Sequence, residues 1–197
     1  MDKFSEVEIK LDATGLDPKK FMEFVINCDE RIDRIKIISG WDTYYKSGED
    51  IVRHRCDGDD KDSVLTVKKR KNNGSIIDRF EVDMPIKAGT PPEMVTAFLE
   101  MSGFKSEFTI NKKYHFFNVS GKDYEACVAM YDVWKAGDYK KKYRFLEVEI
   151  ERESKCSSTT AKRYLDEWLE RINKSLLPDA KPLNSSLYEL FTTKENK

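Results

Sequence analysis

Phe4-Ser5-Glu6-Val7-Glu8-Ile9-Lys10-Leu11 runs on a strict two-residue alternation. Glu6, Glu8 and Lys10 share one parity, and Val7, Ile9 and Leu11 share the other. Successive side chains of a strand point to opposite faces. The segment therefore predicts a β-strand with one apolar face and one face carrying two carboxylates and an ammonium.

The same alternation recurs downstream, predicting strands at 33–46, 51–57, 63–70, 76–84, 106–118, 124–134 and 143–152. Their polar faces carry charge at two-residue spacing: Arg53 with Arg55, Thr66 with Lys68 and Arg70, and Arg79 with Glu81 and Asp83. Later strands carry Asn111 with Lys113, Tyr131 or Asp132, and Glu147 with Glu149 and Glu151. The opposite parities are apolar, as in Phe80, Val82 and Met84, or Leu146, Val148 and Ile150. Lys71-Asn72-Asn73-Gly74 is a hairpin signal of the Asn-Gly type.

Helices are predicted in the connections. Asp17 and Pro18 are an N-cap and a first helical residue for 17–27. A second helix covers 92–101, closed by Gly103, and a long amphipathic one covers 158–176 with Tyr164, Leu165, Trp168, Leu169, Ile172 and Leu176 near one stripe. A short helix at 185–191 ends the pattern. The expected fold is α+β: a closed eight-stranded antiparallel β-barrel with helices packed on the outside, since closure removes exposed strand edges. Residues 1–191 form one domain in this reading, and 192–197 a disordered tail. Periodicity leaves two topologies open, with the charged strand faces turned either to solvent or into the lumen.

Composition narrows the function. The chain has 197 residues, with 35 Lys+Arg against 36 Asp+Glu and a net charge of −1. A general nucleic-acid binder would show a basic surplus, so stable DNA binding is not expected. No apolar run approaches the length of a membrane span, and the charged N-terminal segment lacks an apolar signal core, so no membrane association and a cytoplasmic location are expected. Cys28, Cys56, Cys127 and Cys156 are widely spaced, and His54 and His115 are isolated. That leaves little for a zinc site or a His-activated nucleophile, and there is no P-loop.

Glu6-Val7-Glu8-Ile9-Lys10 is an ExExK signature that resembles the opening of the CYTH superfamily, the triphosphate tunnel metalloenzymes. The order of later segments is similar to that family too: Asp42-Thr43-Tyr44-Tyr45, Arg53-x-Arg55, Leu65-Thr66-Val67-Lys68, Arg79-x-Glu81-x-Asp83, Tyr131-Asp132, Glu147-x-Glu149 and Ser186-Leu187-Tyr188-Glu189-Leu190-Phe191. The resemblance runs from residue 6 to about 191. It departs at Lys46, where the family places a second Asp, at Asn111-x-Lys113, where a basic pair is frequent, and at Asp83, where Glu is usual.

The resemblance implies a tunnel in which Lys10, Arg53, Arg55, Lys68, Arg79 and Lys113 hold a triphosphate. Glu6, Glu8, Glu81, Asp132, Glu147 and Glu149 would ligate Mg²⁺ or Mn²⁺, hard ions that prefer oxygen. Glu6, Glu8 and Lys10 would be catalytic. The activity implied is metal-dependent cleavage of a phosphoanhydride bond in inorganic triphosphate or a small triphosphorylated compound, such as a nucleotide or thiamine triphosphate. Two other readings stand beside it: a class IV adenylyl cyclase making cyclic AMP and pyrophosphate, and a non-catalytic polyphosphate or nucleotide binder. Oligomeric state is not encoded in these motifs.

Overall fold

The alternating segments become strands paired with their neighbours throughout. In this computed structural model residues 5–58, 63–70, 77–151 and 156–193 are described, with backbone alone for 5, 6, 69, 70, 77–80 and 193. The chain runs β1 (Ser5–Asp12), α1 (Pro18–Ile26), β2 (Arg31–Ser47), β3 (Asp50–Asp57), β4 (Ser63–Arg70), β5 (Ile77–Ile86), α2 (Pro92–Met101), β6 (Lys105–Ser120), β7 (Glu125–Lys135), β8 (Tyr143–Ile150), α3 (Ser158–Ser175) and α4 (Leu187–Thr193). Asp17 caps α1, accepting from the Lys19 backbone N–H at 2.9 Å, and Pro18 opens it as the sequence predicts. The hairpin read at Lys71-Asn72-Asn73-Gly74 lies outside the described residues.

All strand pairs are antiparallel, in the order β1-β5-β4-β3-β2-β6-β7-β8, and β8 pairs with β1 again. The sheet thus rolls around a lumen. Of the two topologies left open, the one with the charged strand faces turned into the lumen forms. Val7, Ile9, Leu11, Leu146, Val148 and Ile150 point outward into the main core, against Leu165, Trp168 and Ile172 of α3 and Phe21 and Val25 of α1. Burying those faces under helices leaves the charged parity facing inward. A second outer cluster seats Val95 and Leu99 of α2 on Tyr45, Val52 and Leu65.

The strands follow one another in a closed ring, with β1 and β5 meeting from Ser5↔Phe80 to Glu8↔Ile77 among the described residues. The expectation of a closed barrel with its helices outside is corrected on two counts, both of them in the helices. First, α4 is not outside. Leu187 and Phe191 are buried among Tyr44, Phe108, Tyr131 and Phe145, whose parity faces the lumen, so α4 stops one mouth. Second, α2 covers only one end of the outer face of β4 and β5: Leu65 is buried beneath it, while Val67, Val82 and Met84 remain about half exposed. The last helix also extends past the predicted end, so 192 and 193 are helical, while 194–197 lie outside the described residues.

Candidate active site

The lumen holds a cavity of about 490 Å³ bounded by β1, β2, β3, β4, β6, β7, β8 and α4. Cross-strand register explains how its charges meet. Glu8 lies directly opposite Glu149, and Lys10 opposite Glu147, on the β1/β8 pair. Glu8, Glu147 and Glu149 bring carboxylate oxygens within 4.8 Å of one another. Lys10 sits among them, 3.5 Å from Glu8 and 3.3 Å from Glu147. The Tyr131 hydroxyl donates to Glu147 at 2.9 Å, and burial together with Glu147 holds its own proton on firmly.

The donor set fits a divalent cation. Three carboxylates gather around one ammonium, Glu8 is fully buried, and hard oxygen ligands suit Mg²⁺ or Mn²⁺. Like charges held this close in a buried wall repel strongly unless something neutralises them.

The opposite wall is cationic. Arg53 and Arg55 project from β3 and Lys68 from β4 into the same cavity. Lys68 pairs with Glu81, which also lies 3.8 Å from Arg53. Arg53 donates to the Thr66 hydroxyl at 2.9 Å, and Thr66 donates to Asp83 at 2.7 Å. Asp42, 1% exposed, accepts both a 2.9 Å and a 3.2 Å bond from Arg55 and lies 2.7 Å from the Lys112 ammonium. Burial alone would raise the Asp42 pKa, but Arg55, Lys112 and Arg53 outweigh it and hold the carboxyl well below its usual range. Burial pushes Lys112 down to about 7, with Arg55 and Arg53 acting the same way against Asp42. One carboxylate between two cations settles on the bidentate guanidinium, so the ammonium is the partner whose proton is held less firmly.

Most of the predicted site residues come together here: Glu8, Lys10, Arg53, Arg55, Lys68, Glu81, Glu147 and Glu149. The side chains of Glu6 and Arg79 lie outside the described residues, although the register sets one opposite the other. Two predicted residues do not join. Lys113 is exposed, on the outer parity of β6, and Lys112 faces inward instead. Asp132 also faces away from the carboxylates. Arg144 grips it with bonds of 2.6 and 2.9 Å while donating to the Leu16 carbonyl, which ties β7 and β8 to the loop before α1. Lys112, Asp42 and Tyr131 are the lumen residues that the site reading missed or left undecided. On β6 both parities carry aromatics and charges, so pattern alone could not choose between Lys112 and Lys113; the pairing of Lys112 with Gly40 and Val133 does.

No protein-family model and no curated protein sequence matches this chain. Solved structures do. PH1819 from Pyrococcus horikoshii OT3 is 17% identical over 96% of this chain and 99% of its own, with a TM-score of 0.69. A candidate adenylate cyclase from Vibrio parahaemolyticus is 15% identical over 96% and 98%, with a TM-score of 0.65. HpAC1 from Hippeastrum, named as a candidate adenylyl cyclase with a dominant triphosphatase activity, is 13% identical over 96% of each chain, with a TM-score of 0.61. The chain shares its fold with these proteins, a tunnel-like fold that agrees with the CYTH resemblance of its sequence.

Proposed function

We propose that this chain is a metal-dependent phosphohydrolase that cleaves a phosphoanhydride bond of a triphosphate held in the lumen. The observation that carries this reading is the sorting of charge across one cavity: Glu8, Glu147 and Glu149 on one wall, and Arg53, Arg55 and Lys68 on the other. An anion binder alone has no use for a buried carboxylate cluster beside its ligand, since it would repel it. The fold, shared with a triphosphatase and a candidate cyclase, supports the same class of chemistry.

Arg53 and Arg55 are placed to take phosphate oxygens bidentately, and Lys68 as a compact charge. Asp42 holds the Arg55 guanidinium in place before any ligand arrives, so that donor needs little reorganisation. Lys10 lies 3.5 Å from Glu8 and 3.3 Å from Glu147 and would bring the reacting phosphate beside them. Tyr131 fixes the orientation of Glu147. A Mg²⁺ or Mn²⁺ held by Glu8, Glu147 and Glu149 would screen the phosphate charge and lower the pKa of an attacking water. No His or covalent nucleophile is needed.

The test is a substrate panel of tripolyphosphate, ATP, other nucleotides and thiamine triphosphate with Mg²⁺ or Mn²⁺, scored for orthophosphate, pyrophosphate and cyclic AMP. Metal-dependent orthophosphate release is expected, lost in Glu8→Gln and Glu149→Gln with the fold intact. Cyclic AMP with pyrophosphate would replace the hydrolase reading with a cyclase, and tight binding without turnover would replace it with a sensor.

A further inference from the structure

The first half of β2 leaves a strand edge open. Residues 40–47 of β2 pair with β3, and Ser39 still accepts a 2.7 Å bond from the Gly58 N–H. Before that point, residues 31–38 have β6 as their sole strand partner among the described residues. The backbone groups of successive residues in an antiparallel strand turn to alternate sides. Since the Ser39 carbonyl points to the β3 side, the N–H and C=O of Ile37 and Ile35 point to the open side too, while those of Lys36 and Ile38 turn to β6. The one register shift of this stretch lies between Ile32 and Arg34, so the alternation holds from Arg34 onward.

The side chains along that edge are sorted as well. Ile35 and Ile37 stand on the outer face, 53% and 55% exposed. Arg34 and Lys36 stand on the inner face and line the lumen toward the end away from α4. An open strand edge is a template for another strand: main-chain hydrogen bonds give the affinity, and alternate side chains give the specificity. This template suits apolar side chains beside the two isoleucines and carboxylates beside the two cations, because unlike charges directly opposite stabilise a strand pair and like charges destabilise it. The same rule tells against a second copy of the chain. Antiparallel self-pairing that sets Ile35 opposite Ile35 or Ile37 also sets cation opposite cation.

We propose that residues 34–38 of β2 are a docking edge for an extended protein segment that alternates apolar and acidic residues and adds to the sheet as a further strand. Ile35 and Ile37 each present one N–H and one C=O to it. The added strand lies on the side of β2 away from β6, and so away from β8 and β1, which carry Glu147, Glu149 and Glu8. Its carboxylates therefore meet Arg34 and Lys36 without entering the acidic cluster.

The experiment titrates the full chain with two synthetic peptides, one alternating Val and Glu and one alternating Val and Lys, by fluorescence anisotropy, and reads amide hydrogen exchange by NMR. The Val/Glu peptide is expected to bind and to slow exchange at Ile35 and Ile37, leaving Lys36 and Ile38 unchanged because their amides already turn to β6. The Val/Lys peptide should bind at least tenfold more weakly. Ile37→Pro removes one edge-facing N–H and spares the β6 ladder, so it should raise the Kd of the Val/Glu peptide at least tenfold. Arg34→Glu/Lys36→Glu should reverse the preference between the two peptides, which tests the edge without a backbone change. No binding, equal affinity for both peptides, or binding that leaves exchange at Ile35 and Ile37 unchanged would overturn the docking edge. Sedimentation of the chain alone as a dimer with those two amides protected would replace the acidic segment with a second copy. Displacement of the Val/Glu peptide by tripolyphosphate, with Ile37→Pro binding as well as wild type, would overturn it by moving the peptide into the lumen.

Discussion

At the scale of single residues the site turns on parity. One step along β6 separates an exposed Lys113 from a buried Lys112, because successive side chains of a strand point to opposite faces. Lys112→Met keeps the aliphatic stem and removes the charge beside Asp42. With Arg55 still bonded to that carboxylate, the stability change should stay within about 1–3 kcal/mol, while the KM for tripolyphosphate rises roughly tenfold. Lys113→Met should fall within about 0.5 kcal/mol of wild type and leave KM unchanged. The pH dependence has a definite sign. Lys112 titrates at about 7 in the folded chain, from an ordinary value of 10.5, so between those values the unfolded chain holds the extra proton. Stability contributed through this group therefore rises with pH across that window and is flat below it. Urea midpoints at pH 6.5 and 9.5 should rise in wild type relative to Lys112→Met; a relative fall would contradict the assignment.

At the scale of elements, much of the wall could be read before any coordinates. β1 was legible to the residue, since Glu8 and Lys10 alternate with Val7, Ile9 and Leu11 and the partner strand β8 does the same with Glu147 and Glu149. What periodicity could not say was which way those faces turn, because that depends on whether α1 and α3 lie over the apolar parity. The closing segment shows the same limit. Ser186 and Glu189 form a capping box, the Ser186 backbone donating to Glu189 at 2.6 Å and the Glu189 N–H to the Ser186 hydroxyl at 3.2 Å. The pattern predicts a helix but not its seat in the mouth of the lumen. Phe191 packs there with Phe108 and edge-on to Tyr143, at centroid distances of 6.1 and 5.6 Å. Phe191→Ala should cost about 3 kcal/mol of docking, and a seven-residue helix has little stability of its own. Hydrogen exchange should accordingly accelerate in α4 while β6, β7 and β8 keep their protection; uniform acceleration would mean that α4 folds as one unit with the sheet.

At the scale of the molecule, a net charge of −1 conceals a separation of signs across the lumen, and that separation sets how the protein responds to ligands. Glu8 and Glu149 are directly opposed across a strand pair, where like charges destabilise by about 0.2–1 kcal/mol. Lys10 offsets part of this, and a divalent ion held by the same carboxylates would offset more. Mg²⁺ or Mn²⁺ at 100 times its dissociation constant should add about 2.7 kcal/mol, raising Tm by roughly 5–11 °C for a chain of this size. Glu149→Gln separates the two contributions by sign. Without metal the variant should melt at or above the wild-type temperature, because a repulsion is removed; with metal it should gain far less, because a ligand is removed. Scanning calorimetry of both proteins, with metal and with chelator, reads both quantities. An equal metal increment in the two would place the ion elsewhere, and a variant less stable without metal would mean that Glu149 serves the fold rather than the site.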